Sequence, residues 1–414
     1  MTKTPQELYK ERENRVLDAM RLKVPDRVPI IATAGFFAAR YAGITCKEAM
    51  YDSKKTEEAT LRFLKDFQPD IGENPYMLTY LGAMLEMIGY KCLAWPGHGL
   101  DDMSSYQFLE REIMTMDEYD DYLFDPTDFV IRKIWPRIYS ALKPFENLPP
   151  LSDVVEYIGV NRFAGFANQD MKVALEALVK TGEKADEMLE MAMKFGEKLV
   201  ELGFPSISGG FAEAPFDYIS DFFRGTRGTM LDMFRVPDKL QAMMEKIFPV
   251  MLRNGLRAKQ LGRPTVFIPL HKGLDGFMSQ DQFKTFYWPT LKRLMEGLIA
   301  EDIIPNVFWE GDCLSRLEII GDIPPGKAVY RFEKTDMFKA KEVLGDIVCL
   351  QGNVPLSMLV AGTPDDIKEY CKKLIDIVGK DGGFIMSSST GLDNAKPENV
   401  KAMFDFTKEY GVYS

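Results

Sequence analysis

The chain has 414 residues, of which 46% are hydrophobic and 12% aromatic, so it can bury a large core as one elaborated domain or as two ordinary ones. Its formal net charge of -11 leaves no basic face for a polyanion, which argues against nucleic-acid binding. Small molecules and other proteins remain as partners.

The N-terminal stretch, residues 1–21, is charged and has the apolar spacing of a helix rather than the apolar run of a secretion signal. No later stretch is long enough to cross a bilayer, so we predict a cytoplasmic protein that does not enter a membrane. The five cysteines are scattered and form no CxxC pair, which fits a reducing compartment.

Eight short β-type runs recur along the chain, and each stops at glycine, proline or polar residues. They are residues 28–33, 67–70, 204–208, 265–270, 306–309, 328–332, 347–350 and 384–386. Helical apolar spacing recurs between the later runs, at residues 283–300, 340–343, 365–378 and 397–410. This alternation, without a GxGxxG or GxxxxGK[ST] loop after any run, predicts an α/β fold of the (β/α)8 TIM-barrel type, formed as one domain over residues 1–414.

Residues 76–150 break the alternation with a Trp-Pro-Gly-His-Gly turn and an acidic stretch. We predict a mostly helical insertion that caps the barrel, in addition to a helical extension at the N-terminus. His98 lies in the turn and could fold over the barrel mouth to contact substrate, although burial within the insertion is an equally good interpretation.

Three parts of the sequence resemble signatures of the uroporphyrinogen decarboxylase superfamily. They are Glu11-Arg12 with residues 24–29 (VPDRVP), residues 351–355 (QGNVP) and residues 396–403 (KPENVKAM). The resemblance spans nearly the whole chain and implies a barrel. It does not choose a reaction, because the superfamily contains both decarboxylases of the porphyrin precursor and cobalamin-dependent methyltransferases.

The resemblance places Asp70 at the position of the family's catalytic aspartate. The family's decarboxylases, however, grip a polyanionic substrate with an Arg-Gln-Ala-Gly-Arg-Tyr segment, where this chain has residues 32–37 (ATAGFF). Phe36 and Phe37 would form an apolar wall in place of guanidinium clamps. Residues 387–391 (SSSTG) also replace the family's Gly-His-Gly. A porphyrinogen is therefore disfavoured, and decarboxylation of a smaller acid by Asp70 and Arg40 remains an alternative.

Zinc-dependent thiol methyltransferases of the superfamily hold their metal with a His-x-Cys at one strand end and a cysteine near the last strand. This chain has Phe308-Trp309-Glu310 and Ser387 there, so the soft thiolate set is missing. The resemblance then implies a corrinoid-dependent methyltransferase that moves a methyl group from a methoxylated aromatic or similar donor to cobalt(I), as in anaerobic O-demethylation. Because the chain contains no Asp-x-His-x-x-Gly signature, we expect the cobalamin on a separate corrinoid protein that docks at the barrel mouth.

An ether oxygen is a poor leaving group, so it must be protonated or metal-bound as its methyl group departs. His271 follows the run 265–270 and Glu310 follows Trp309, and barrel geometry points such residues into the site. We predict both as catalytic groups, and zinc is left open as an ion that they could share. A loop histidine with satisfied hydrogen bonds is the competing interpretation of His271.

For the substrate pocket we predict a set of residues near the strand ends: Phe36, Phe37, His98, Phe211, Trp309, Glu333 and Asn353. Acidic and amide residues at such positions more often cap the following helix, which we predict for Asp336. Arg224 and Arg227 could bind a corrinoid amide, a phosphate or an acidic partner, with ordinary ion pairing as the commoner use. A homodimer is left open, and a non-catalytic corrinoid- or porphyrinoid-binding protein is a further alternative.

Overall fold

The computed structural model describes residues 3–77 and 79–413, so the parts of the predictions that involve residues 1, 2, 78 and 414 lie outside the described residues. The N-terminal part contains five helices: α1 (Pro5–Met20), α2 (Phe36–Ala42), α3 (Cys46–Tyr51), α4 (Ser53–Phe67) and α5 (Gly82–Ile88). Helix α1 begins at Pro5 because Thr4 and Glu7 form a reciprocal capping box. The predicted N-terminal helix is confirmed.

The insertion is more varied than predicted. A small three-stranded sheet is formed by β1 (Leu93–Pro96), β2 (Gly99–Leu100) and β3 (Gln107–Phe108). Helices α6 (Tyr119–Phe124), α7 (Pro126–Phe129) and α8 (Trp135–Ile138) and several 3-10 turns follow, and α9 (Gln169–Glu201) ends the segment. The predicted end at residue 150 is wrong, because 3-10 turns continue to Ala167.

Six parallel strands form the main sheet in sequence order. They are β4 (Ser208–Phe211), β5 (Thr265–Leu270), β6 (Ile304–Trp309), β7 (Val329–Phe332), β8 (Cys349–Gln351) and β9 (Phe384–Ile385). Between and after them lie α10 (Pro215–Ile219), α11 (Gly225–Arg235), α12 (Pro237–Gln260), α13 (Gln280–Gln282), α14 (Trp288–Ile299), α15 (Leu317–Ile320), α16 (Met337–Leu344), α17 (Leu356–Ala361), α18 (Pro364–Lys373) and α19 (Pro397–Tyr410). Strand and helix alternate as in a (β/α)8 barrel, which confirms the predicted fold class.

The two earliest predicted strands, residues 28–33 and 67–70, are not regular strands. They join the sheet through a few backbone hydrogen bonds: from the Met386 N–H to the Pro29 carbonyl (2.9 Å), from the Ile31 N–H to the Met386 carbonyl (3.1 Å), from the Asp70 N–H to the Ile30 carbonyl (3.0 Å) and from the Gly72 N–H to the Pro205 carbonyl (2.9 Å). These bonds lead from β9 back towards β4. Proline has no N–H to continue a ladder, which accounts for the irregular pairing. It also accounts for the start of the third barrel strand, β4, at Ser208 rather than at residue 204.

Helix α1 covers the amino ends of the barrel strands. Its apolar side chains Val16, Ala19 and Met20 pack against a group of residues at or near the strand starts, namely Ile304, Val329, Cys349 and Ile385. The carboxyl ends of the strands, where barrel sites are built, lie at the opposite face. No helix within residues 3–77 and 79–413 is both long and apolar enough to cross a membrane.

Asp70, predicted as catalytic, lies in a buried ion-pair cluster with α1. Its carboxylate is fully buried and accepts hydrogen bonds from Arg15 (2.7 Å), Arg27 (2.7 and 2.9 Å) and the Ile30 N–H (2.7 Å). Both oxygens are therefore occupied, and the cluster fastens α1 to the barrel wall.

Asp70→Asn should destabilise the fold, because it removes a buried carboxylate shared by Arg15, which retains Glu11 and Asp26, and by the partly buried Arg27. We expect the free energy of unfolding to fall by about 3–5 kcal/mol, measured by urea denaturation. The control Asp18→Asn changes a much more exposed carboxylate of α1, 3.9 Å from Lys23, and should leave stability nearly unchanged. A stable Asp70→Asn protein would contradict this structural role.

Candidate active site

His271 is held at the carboxyl end of β5 by a buried carboxylate beneath it. Asp217 of α10 accepts the backbone N–H groups of His271 (2.8 Å) and Lys272 (3.0 Å) and the hydroxyl of Tyr287 (2.5 Å). Burial raises the pKa of Asp217 to about 6. This carboxyl thereby fixes the loop after β5 onto α10.

The imidazole of His271 lies between two carboxylates. Its Nδ1 pairs with Asp221, and its Nε2 lies 3.6 Å from an oxygen of Glu310 at the end of β6. Burial alone would lower the pKa of His271, but the two carboxylates outweigh it and raise the pKa to about 11. His271 is therefore an imidazolium at neutral pH, and the structure brings the two predicted catalytic groups His271 and Glu310 together.

Glu213 provides a neutral acid in the same cluster. It follows β4, is 3% exposed, and its Oε2 has no hydrogen-bond partner among the described residues. Burial, reinforced by the negative charge of Asp221, raises the pKa of Glu213 to about 8. An acid with this pKa is protonated at neutral pH yet able to release its proton, which is the property required of a general acid.

The sequence analysis assigned no role to Glu213, Asp217 or Asp221. The signal was their spacing of four residues: Asp217 and Asp221 lie one turn apart in the helical segment that begins at Pro215, and Glu213 stands two residues before it. The sequence predicts the preceding strand over residues 204–208, so Glu213 does not follow a predicted strand end and is not recognised as a site residue. In the structure, Glu213 is two residues beyond Phe211, the last residue of β4.

Aromatic side chains line the barrel interior below this cluster. Phe211 is 52% exposed and its ring centroid lies 6.3 Å from that of Phe267, which lies 6.4 Å from that of Phe308. Because side chains alternate along a strand, Trp309 points the other way and packs on the outer face with Tyr330. Phe211 therefore lies on the inner wall, where its substrate contact stays a prediction, whereas Trp309 belongs to the core.

The other predicted aromatic contacts lie away from His271. Phe37 is packed in the core against Phe63 and Phe67 of α4. Phe36 lies under Tyr106 of the insertion, with ring centroids 5.7 Å apart. His98 stacks on Trp95 in the small sheet and is largely exposed, 3.8 Å from Glu86.

Glu333 and Asn353 lie together in a separate cleft of about 600 Å³ between the loops after β7 and β8. Asn353 donates to the Thr335 carbonyl (3.0 Å) and accepts from the Tyr370 hydroxyl (3.1 Å), so its amide is already used. Asp336 caps α16 by accepting from the Phe338 and Lys339 N–H groups, which confirms the predicted cap.

The two predicted cofactor-binding arginines differ in their surroundings. Arg224 is buried and pairs with Asp232 (2.6 Å) and Glu112 (2.5 Å), so it fastens the insertion to the segment after β4. Arg227 is exposed and forms no ion pair with any residue in the described part of the chain. Only Arg227 is free to meet a partner.

The possibility of zinc depends on how many donors surround His271. A catalytic zinc ion is usually held by three protein ligands. His271 and Glu310 offer two donor atoms, and no group of three His, Cys, Asp or Glu side chains with metal-site geometry occurs in residues 3–77 and 79–413. These residues therefore do not complete a zinc site.

The fold and the site define an α/β-barrel protein with an acid–base cluster at the carboxyl ends of its strands. The family model for uroporphyrinogen decarboxylase (URO-D) matches residues 168–410, and the chain belongs to that family. This confirms the resemblance seen in the sequence.

Individual relatives match more narrowly. A uroporphyrinogen decarboxylase from Chlorobium phaeovibrioides is 29% identical over 182 residues, which is 43% of this chain and 51% of that protein. One from Aromatoleum aromaticum is 31% identical over 141 residues, 33% of this chain and 38% of that protein. The chain thus spans about half the length of the Chlorobium protein and 38% of the Aromatoleum protein. A methyltransferase from Methanosarcina mazei shares the fold with a TM-score of 0.61 and 17% identity, over 96% of this chain and 98% of that one.

Glu213→Gln should change how stability depends on pH. The folded chain keeps a proton on Glu213 up to about pH 8, whereas the unfolded chain loses it near the ordinary value of 4.5. Stability of the wild type should therefore fall as pH rises between these values, by up to about 1.4 kcal/mol per pH unit from this group. In the variant this contribution is absent.

The measurement is urea denaturation at pH 5, 6, 7 and 8. We expect the stability of Glu213→Gln relative to the wild type to increase with pH. Glu201→Gln, at an exposed position of α9, is the matched control and should show a constant difference. A constant difference for Glu213→Gln as well would mean that Glu213 is ionised in the folded chain.

Proposed function

We propose that the protein is a methyltransferase that removes the methyl group of a methoxylated aromatic compound and passes it to the cobalt(I) of a corrinoid carried by a partner protein. The observation that carries the proposal is the neutral Glu213 beside the His271 imidazolium, above the aromatic wall of Phe211, Phe267 and Phe308. The methyltransferase from Methanosarcina mazei with the same fold supports the reaction class.

The reaction needs a proton at the ether oxygen. As the bond between methyl carbon and oxygen breaks, its electron pair stays on oxygen, which takes a proton from Glu213 and leaves as a phenol. The His271 imidazolium, held by Asp221 and Glu310, stabilises the negative charge that develops on this oxygen. The methyl group is received by the corrinoid cobalt, which supplies the electron pair of the new bond.

The aromatic wall suits a planar donor. Phenyl rings recognise an aromatic face through stacked and edge-on contacts, and they exclude water that would otherwise solvate the leaving oxygen. The corrinoid is assigned to a partner because the chain lacks the Asp-x-His-x-x-Gly signature. Exposed Arg227 then remains as a contact for an acidic partner.

His271→Gln should lower the rate of methyl transfer by about 10²–10⁴-fold, because it removes the cation that stabilises the leaving oxygen. The assay follows methylcobalamin formation by absorbance, anaerobically, with reduced cobalamin and a panel of methoxyaromatics and methylamines. The matched control is His98→Gln, which changes the only other histidine and lies in the small sheet away from the cluster. Failure of the wild type with every donor would reject the proposal.

The pH profile tests the proton donor. In the wild type, kcat/KM should fall above about pH 8, where Glu213 loses its proton. Glu213→Gln should be slower at every pH and show no fall near pH 8, since an amide does not titrate. A fall near pH 8 that persists in Glu213→Gln would assign the proton to another group.

Decarboxylation of a small acid is the second candidate, supported by the names of the curated relatives. The version of this reaction that uses Asp70 is disfavoured, since two arginines and a backbone N–H occupy both Asp70 oxygens. Carbon dioxide release from an aromatic acid without any corrinoid would favour this candidate over methyl transfer.

A further inference from the structure

Arg331 is a buried cation without a close partner. It lies in β7, is 6% exposed, and belongs to the inward-facing side chains of the barrel. Its contacts are long: 3.4 Å to the Thr33 hydroxyl and 3.5 Å to the Ser388 carbonyl, while its Nε has no partner in the described residues. These distances are at the outer limit for hydrogen bonds.

Other arginines buried near the barrel show what a satisfied guanidinium looks like. Arg12, which forms no ion pair in the described residues either, donates to the Gly203 carbonyl (2.6 Å) and to the Gln68 side-chain oxygen (2.5 Å). Arg15 and Arg224 each pair with carboxylates at 2.5–2.7 Å. In the described part of the chain, no carboxylate oxygen lies within 4 Å of Arg331. Glu310, Glu73 and Glu333 act on Arg331 through space, yet burial still lowers the pKa of its guanidinium to about 10, so an anion in direct contact would stabilise the charged form.

The groups around Arg331 suit a planar carboxylate. Its guanidinium carbon lies over the Phe308 ring, 4.3 Å from the ring centroid. Gln351, its partner in register on β8, is 2% exposed and has an unpartnered Oε1. A side-chain amide can turn over to present its NH2 group at the same place, so Gln351 would add a donor beside the guanidinium.

The strand register places Arg331 near the acid–base cluster. Arg331 is paired with Phe308, and Glu310 lies two residues further along the same strand direction. Two residues of a strand span about 6.6 Å, roughly one aromatic ring with a substituent at each end. A carboxylate at Arg331 would therefore place the opposite edge of the ring near His271 and Glu310.

We propose that Arg331, with Gln351, binds a carboxylate of the substrate, so that the preferred donors are methoxylated aromatic carboxylic acids. The inference rests on the proposed methyl transfer for the identity of the donor, but the anion subsite itself does not. The same guanidinium disfavours methylamines, because a cationic donor would be repelled by Arg331 in a site of low polarity.

The test measures binding without turnover. Isothermal titration of the full chain, without corrinoid and in a buffer free of competing carboxylates and phosphate, compares 4-methoxybenzoate with 4-methoxybenzamide, and 3-methoxybenzoate with its amide. We expect the acids to bind about ten- to a hundredfold more tightly, as for a hydrogen bond to a charged group. In Arg331→Met this preference should disappear.

A matched control removes a positive charge nearby without touching the interior. Lys334 follows β7 and its side chain is 70% exposed, so Lys334→Met should keep the full preference for the acid. Equal loss of preference in Lys334→Met and Arg331→Met, or equal binding of acid and amide by the wild type, would overturn the inference.

Thermal unfolding gives a second measurement. Without ligand, Arg331→Met should have an equal or higher midpoint than the wild type, because it replaces an unpaired buried charge with an apolar chain. The acid should raise the midpoint of the wild type and leave that of the variant unchanged. A variant that fails to fold, or unfolds well below the wild type, would show that Arg331 is a structural group.

The two proposals can fail separately. Preference for the acid together with no methyl transfer from any donor would keep the anion subsite and reject the methyltransferase. Methyl transfer from neutral ethers with no preference for acids would keep the methyltransferase and reject the subsite.

Discussion

Hydrogen bonds between parallel strands hold Leu270, Trp309 and Phe332 side by side, and the arrangement of the barrel mouth follows from that alignment. The Glu310 N–H donates to the Leu270 carbonyl and the Glu333 N–H donates to the Trp309 carbonyl. These bonds continue the same register from β5 to β6 and from β6 to β7. Residues that directly follow the strands are therefore brought to one edge although they are far apart in sequence.

The charge balance at this edge explains the protonation of the site. Glu213, Asp217, Asp221 and Glu310 are four carboxyls, against which His271 and Lys272 provide two cations. Like charges in a partly buried cluster cannot all ionise, so the most buried groups keep protons more readily. Asp217 and Glu213 are both buried, but Asp217 accepts three hydrogen bonds that favour its charged form, so Glu213 is the carboxyl that stays neutral at pH 7, and the remaining negative charge keeps His271 protonated.

The same principle separates structural arginines from Arg331. Arg15 and Arg27 share Asp70 at the face covered by α1, and Arg224 joins the insertion to the segment after β4 through Glu112 and Asp232. Each of these charges is paired within the chain. Arg331 on the inner wall has only long contacts to Thr33 and Ser388, and this difference is the basis of the anion subsite proposed above.

Periodicity in the sequence was sufficient for the later barrel units. Runs that began near Thr265 and Asn306 and the helix over residues 397–410 were found because apolar patterns of period two or 3.6 are local. The sequence predicts regular strands at residues 28–33 and 67–70, because isolated long-range hydrogen bonds leave no pattern that distinguishes them from a strand. The start of β4 is predicted too early for a related reason: the effect of Pro205 on pairing depends on the neighbouring strands, which the sequence does not reveal.

For the site, the sequence by itself determined that His271 and Glu310 follow strands of one parallel sheet, because that depends on the order of elements alone. It also determined the family, through segments distributed over the chain. Tertiary structure decided which residues are paired, buried or protonated. Asp70 pairs with two arginines, Trp309 and Phe37 pack in the core, Glu213 is neutral, and Arg331 has no carboxylate in direct contact. Pairing and protonation depend on distance and burial, which arise only when segments far apart in the sequence meet in space.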